Sequence, residues 1–268
     1  GPGWGSWMSV PAGLHRLNVK FYEWGGGESA RFYWDTGSGT QIVPASVLYY
    51  GGSAPDMSGT DVAVTESTEW TLTMPGGGSF GDLSVAAGKT LTVLGSSASF
   101  ASATLAGAAG FETNARLDLT RNAGLTAGGA ITKAGSGELV LGKALSGGSL
   151  PSIALDEGRL TLGDTGAAGT AVIDMAAGTE LRLASIGTPG SRTFNHQVDI
   201  AGDAAIVAGK SAASDNAAEN VILGGAGKRL SVAPGAKATL AARDDYSLSV
   251  ASQLDVHGRL DVAEGTAA

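Results

Sequence analysis

The chain has 268 residues and a mass of 26.5 kDa, with 43 Gly and only 16% charged residues. Average soluble domains carry roughly 25% charged residues and about 7% Gly, so this is not the composition of a metabolic enzyme, and 43% hydrophobic residues exclude a disordered polar chain. A net charge of −8 without clustered Lys and Arg excludes a nucleic-acid partner, and the absence of Cys excludes disulfides, thiolate metal sites and a catalytic Cys.

The chain opens on Gly1-Pro2, with no initiator Met and no charged region leading into an apolar one, as expected of a processed or recombinant fragment. No run of 18 apolar residues occurs, so no membrane span is expected. The aromatic residues divide the chain into two unequal parts. Ten of them fall in the first fifty positions: Trp4, Trp7, Phe21, Tyr22, Trp24, Phe32, Tyr33, Trp34, Tyr49 and Tyr50. Aromatic rings bury large areas each, so a compact segment 1–54 is predicted ahead of a segment 55–268 that must build its core from small aliphatics.

In the first segment Leu17, Val19 and Phe21 alternate with Arg16, Asn18, Lys20 and Tyr22, the period of a half-buried strand. Gly25, Gly26 and Gly27 break it, Arg31 to Trp34 reads as the antiparallel return, and Ile42, Val43 and Pro44 as a short edge segment. The runs Pro11-Ala-Gly-Leu-His-Arg-Leu-Asn-Val-Lys-Phe-Tyr-Glu-Trp24, Ala30-Arg-Phe-Tyr-Trp34 and Gln41-Ile-Val-Pro-Ala-Ser-Val-Leu-Tyr49 closely resemble the C-terminal third of PA14 domains. That resemblance implies an extracellular β-barrel module of the kind found in adhesins, glycosidases and toxins. Some of these bind glycans through calcium held by aspartates in a part of the domain outside the matched residues, so the resemblance implies a surface location and no sugar site.

Next, Gly76-Gly-Gly-Ser-Phe-Gly-Asp82 weakly resembles a calcium nonapeptide repeat, but occurs once and without the required spacing. From about residue 80 a phrase of aliphatic, middle residue and aliphatic recurs: Leu83-Ser-Val85, Leu91-Thr-Val93, Leu117-Asp-Leu119, Leu139-Val-Leu141, Leu160-Thr-Leu162, Leu181-Arg-Leu183, Leu230-Ser-Val232, Leu248-Ser-Val250 and Leu260-Asp-Val262. The middle residue is mostly polar. Copies about twenty residues apart, strand-length and separated by Gly, Asn, Asp and Ser, predict a right-handed parallel β-helix rather than a helical solenoid. Ten rungs or so would make a rod on the order of 50 Å long.

Within this region Gly128-Gly-Ala-Ile-Thr-Lys133-Ala-Gly135-Ser-Gly137-Glu-Leu-Val-Leu141, followed by Gly158-Arg-Leu-Thr-Leu162, resembles the autotransporter-associated β-strand repeat: a Lys, Gly-x-Gly, a Leu-x-Leu strand and later Gly-x-Leu-x-Leu. The stretch Ala144 to Gly148 departs from the family's intervening loop. The resemblance implies a β-helical passenger of a large secreted or outer-surface protein.

Few residues are placed for chemistry. His15 reads as a structural strand-start residue; His196 with Asp199 and His257 with Asp255 are the His-carboxylate neighbours, and only the second pair would share one face of a strand. Metal sites need three or four ligands, and none converge in sequence. The pairs Asp156-Glu157 and Asp244-Asp245 read as solvated turns, and Thr188 to Thr193 as a protruding loop. No catalytic, cofactor or metal residue is therefore predicted.

The expectation is a non-enzymatic structural or adhesive stalk of a large bacterial secreted or surface protein. Its partners would be extracellular glycans or other surface proteins, and exposed rung edges favour end-to-end self-association. The alternative is an accessory glycan-binding part, or the catalytic β-helix, of a secreted carbohydrate-active enzyme; sugar stacking on Trp4, Trp7 or Trp24 is the simplest binding device.

Overall fold

A computed structural model describes residues 33–35, 40–42, 56–74, 76–184, 190–210, 220–243 and 246–263. The chain divides into two compact units, Gly1–Ser53 and Ala54–Ala268. In the first, Tyr33–Asp35 pairs antiparallel with Thr40–Ile42, Tyr33 opposite Ile42 and Asp35 opposite Thr40. The expected strand around Leu17 to Phe21 lies outside the described residues. The pairing that is described joins the expected return strand to the expected edge segment.

The second unit is a parallel β-helix, and every strand pairing in it is parallel; no helix occurs among the described residues. Its most regular face is a nine-stranded sheet running from Thr68–Leu72 through Lys89–Gly95, Ala109–Thr113, Ile131–Ala134, Ser152–Leu155, Val172–Met175, Gln197–Ile200 and Arg229–Val232 to Gln253–Val256. The second face stacks Gly78–Val85, Ala98–Leu105, Arg116–Asp118, Glu138–Leu141, Arg159–Leu162, Glu180–Leu183, Ala204–Ala208, Lys237–Ala242 and Arg259–Ala263. A third, short face holds Arg192–Phe194, Asn220–Leu223 and Ser247–Val250. Nine strands make eight steps, so the stack rises about 40 Å at about 4.8 Å per step, somewhat shorter than the rod expected from a twenty-residue repeat.

The reason is that the recurring phrase marks all three faces and its copies are not one series. Leu91-Thr-Val93 and Leu230-Ser-Val232 belong to the first face, Leu248-Ser-Val250 to the third, and the other copies begin on the second. The 26 residues from Leu91 to Leu117 therefore cross between faces. Leu91 stacks on Phe111, 20 positions on, and Leu117 on Leu139, 22 positions on. Later turns lengthen: Ile206 stacks on Leu240, 34 positions on, because the third face and its connections are inserted.

Period-two alternation turns every second side chain inward, and register places like on like. Leu139, Leu160, Leu181 and Ile206 form one buried column, and Leu141, Leu162, Leu183 and Ala208 the next. On the first face Ile131, Ile153, Ile173, Val198 and Leu230 form another. Burying each such Leu, Ile or Val supplies about 1.5–3 kcal/mol, which is how a chain poor in aromatics holds a core. In the first turns of the helix the stack is aromatic: Phe80 lies over Phe100 with ring centroids 5.3 Å apart, and Trp70 packs against both.

Candidate functional site

One corner between the first and second faces carries the Lys133, Gly135, Gly137 signature. Lys133 occupies a core position, stacked between Phe111 and Leu155, and is fully buried. The chain then turns sharply: Gly135 has φ +75°, and a Cβ on Gly137 would sit 2.1 Å from the Ala115 carbonyl oxygen of the turn before. Turning this tightly aims carbonyls inward, where they need a donor. Lys133 Nζ donates to the carbonyl oxygens of Ala134, Gly135 and Glu157, at 2.5 to 3.1 Å. Burial pulls its pKa down to about 8, with Glu157 and Glu112 pulling the other way. Three acceptors match the three protons of an ammonium, so this Lys is a corner brace with no donor left for a ligand.

The outward side of the second face carries an alternating charge ladder. Arg116, Glu138, Arg159 and Glu180 stand in register on successive turns. Arg116 Nη1 lies 3.1 Å from Glu138, Arg159 Nε 2.8 Å from Glu180 with its N–H aimed off the line to the oxygen, and Arg182 Nη2 2.7 Å from the same Glu180. Thr161 Oγ1 donates to Glu138, and Arg182 Nη1 to the Lys210 carbonyl. Burial raises the Asp118 pKa, against the lowering effects of the Thr120 N–H and Arg116. On this face Val140, Thr161 and Arg182, the middle residues of the recurring phrase, and Val207 in register with them alternate away from the inward columns and are nevertheless buried.

The outward side of the first face carries acids on later turns. Asp174 is in register with Asp199, and Asp255 lies two steps beyond Asp199 past Ser231. Burial and then the Asp199 carboxylate raise the Asp174 pKa. Gln197 Nε2 donates to Asp199 at 2.8 Å, and Arg229 bridges turns, 3.8 Å from Asp199 and 3.6 Å from Asp255. On the same face an open depression of about 350 Å³ lies where Thr90, Gly110 and Thr132 leave little side chain; a smaller one lies beside Asp61 and Asp82 on the second face. Among the described residues no three His, Asp or Glu side chains converge to hold a metal.

The sequence candidates fall apart or stay solvated. His196 is fully buried while Asp199 faces outward, so they do not pair; neither imidazole nitrogen has a hydrogen bond of ordinary geometry, and burial lowers the pKa to about 4, the Ala171 backbone acting to raise it and the Lys228 charge to lower it. His257 and Asp255 do share a face, Nε2 to Oδ1 2.9 Å, in the open. Asp156 and Glu157 are exposed in the corner below Lys133. Gly76 and Gly77 form a turn, and Asp82, in the next strand, accepts from Ser102 at 2.8 Å. The expected loop Thr188 to Thr193 ends in a strand, Arg192–Phe194; its first residues, Asp244-Asp245, His15, Trp4, Trp7 and Trp24 lie outside the described residues. Sequence reasoning missed the charge ladder, whose members sit 21 or 22 positions apart; sign alternation at the repeat period was the signal.

Compared with known proteins, the chain matches no protein-family model, no curated protein and no solved structure.

Proposed function

We propose that the chain is a non-enzymatic structural or adhesive segment of a large bacterial secreted or cell-surface protein. The observation that carries this reading is the continuous stack of turns, with a ladder of ion pairs running along the outward side of its second face. Arg116, Glu138, Arg159 and Glu180 tie neighbouring turns together, and the two depressions, on the first face near Thr90 and Thr132 and on the second beside Asp61 and Asp82, are open. Glycans or other surface proteins are the partners such a rod would meet, and the resemblances to PA14 domains and autotransporter-associated repeats support an extracellular or outer-surface location.

A second reading rests on Asp174 and Asp199, two carboxylates on adjacent turns with one pKa raised and Arg229 at hand, the groups that acid–base cleavage of a polysaccharide uses. One experiment separates the two. The chain is immobilised, tested for retention on glycan and surface-protein arrays, and incubated with plant and mucin polysaccharides while reducing ends are counted. Retention without new reducing ends is the expected result. Reducing ends lost in Asp199→Asn would overturn the structural reading in favour of the catalytic one.

A further inference from the structure

Lys133, Glu138 and Arg182 are buried with partners, whereas His196, fully buried, has neither imidazole nitrogen in a hydrogen bond of ordinary geometry. It lies in the two-residue connection between Arg192–Phe194 of the third face and Gln197–Ile200 of the first. The Ala171 backbone meets the ring from the connection before Val172–Met175, and the Lys228 charge acts on it from the connection before Arg229–Val232. Lys228 is a cation, so it too resists a charge on the imidazole. Arg192, half-buried, shares the side of Phe194 on their strand. Asp199 looks outward, as do Asp174 and Arg229 in the strands stacked against Gln197–Ile200, so none of these acids turns inward to pair with an imidazolium.

The face that His196 adjoins is the weakest of the three. Among the described residues its strands pair only with one another, and Arg192–Phe194 has a paired neighbour on one side alone, whereas each of the other faces runs through nine strands. A unit held by few backbone hydrogen bonds opens at a lower free energy than the stack as a whole. Phe194, Val221 and Leu223 are fully buried on it. We propose that His196 is an acid-operated latch: once protonated it releases Arg192–Phe194 and Asn220–Leu223 from the core, uncovering Phe194, Val221 and Leu223, while the first and second faces stay stacked. A closed form whose ring takes its proton near pH 4 and an open form whose ring takes it at 6.5 make the open form about a hundredfold more populated at pH 4 than at pH 7. The latch belongs to the β-helix alone and does not depend on the adhesive reading.

The test uses the full chain. Because it has no Cys, single-cysteine variants Val221→Cys, on the third face, and Ile131→Cys, on the first, each report the opening of one buried place. They are labelled with dithiodipyridine, which reacts with thiols in acid, at pH 7 and pH 4, with rates taken relative to a small free thiol and circular dichroism checking the fold. Expected is labelling of Val221→Cys about a hundredfold faster at pH 4, no such rise for Ile131→Cys, and loss of the rise when His196→Leu is added to Val221→Cys. Hydrogen exchange of the unsubstituted chain, corrected for the pH dependence of the chemistry, gives the same answer without any variant: faster exchange in 192–194 and 220–223 and not in 131–134. Labelling that does not quicken in acid, quickens equally at both cysteines, or quickens as much with His196→Leu overturns the proposal, as does exchange that rises alike on all faces.

Discussion

Acid should weaken this protein through one residue, His196, by an amount the structure sets. The imidazole is fully buried, with neither nitrogen hydrogen-bonded in ordinary geometry, and burial lowers its pKa from 6.5 to about 4. Between those values the unfolded chain binds a proton that the folded chain refuses, so stability is complete above pH 6.5, falls as pH drops toward 4, and then levels off. At about 1.4 kcal/mol for each tenfold change, the gap corresponds to about 3 kcal/mol. The assay is urea unfolding at half-unit pH steps on the chain and on His196→Leu, which fills a similar space and does not titrate. Subtracting one curve from the other removes the carboxylates common to both. The difference should fall by about 3 kcal/mol from pH 6.5 to 4. Parallel curves across that window would refute the argument.

Three further changes test the packing. Lys133→Met leaves the carbonyls of Ala134, Gly135 and Glu157 without a donor; at about 1–3 kcal/mol for each unsatisfied group, less the relief of no longer burying an ammonium, a net loss of about 2–4 kcal/mol is expected in urea midpoints. Gly158→Ala must hold φ +69° and bring a methyl to 2.4 Å from the Gly137 carbonyl oxygen, so calorimetry should show a loss of at least about 2 kcal/mol; no change would mean the corner relaxes freely. Leu160→Ala empties a buried place between Leu139 and Leu181 and should cost about 2–5 kcal/mol, with faster amide exchange in the strands on either side.

The β-helix was legible because its signal is periodic: Leu139, Leu160 and Leu181 recur at steps that the register reproduces residue for residue. Face assignment was not legible, since Leu91 and Leu117 look alike in sequence and only pairing tells which sheet each joins. A Lys in an inward position reads as a strand's polar face until the corner beyond it is seen; the need for it arises from carbonyl directions, which sequence does not spell. His196 and Asp199 illustrate the converse. Three positions apart, they look like neighbours, but one closes the end of a third-face connection inside the core and the other lies on the outer side of a strand. Carboxylates brought together by stacking, such as Asp174 and Asp199 at 25 positions, become visible only once the length of each turn is known.

Backbone hydrogen bonding fixes how far the rod rises at each turn, whereas nothing fixes how much chain a turn contains. Steps of 20 residues between Leu155 and Met175 and of 34 between Ile206 and Leu240 occupy the same single layer. Height and girth are thus set independently. Because lengthening a loop twofold costs only about 0.6 kcal/mol, sequence can be added sideways at the connections leaving the second face without disturbing the layers above or below. Those connections are where foreign segments could be grafted onto this scaffold and carried at a fixed height along its axis.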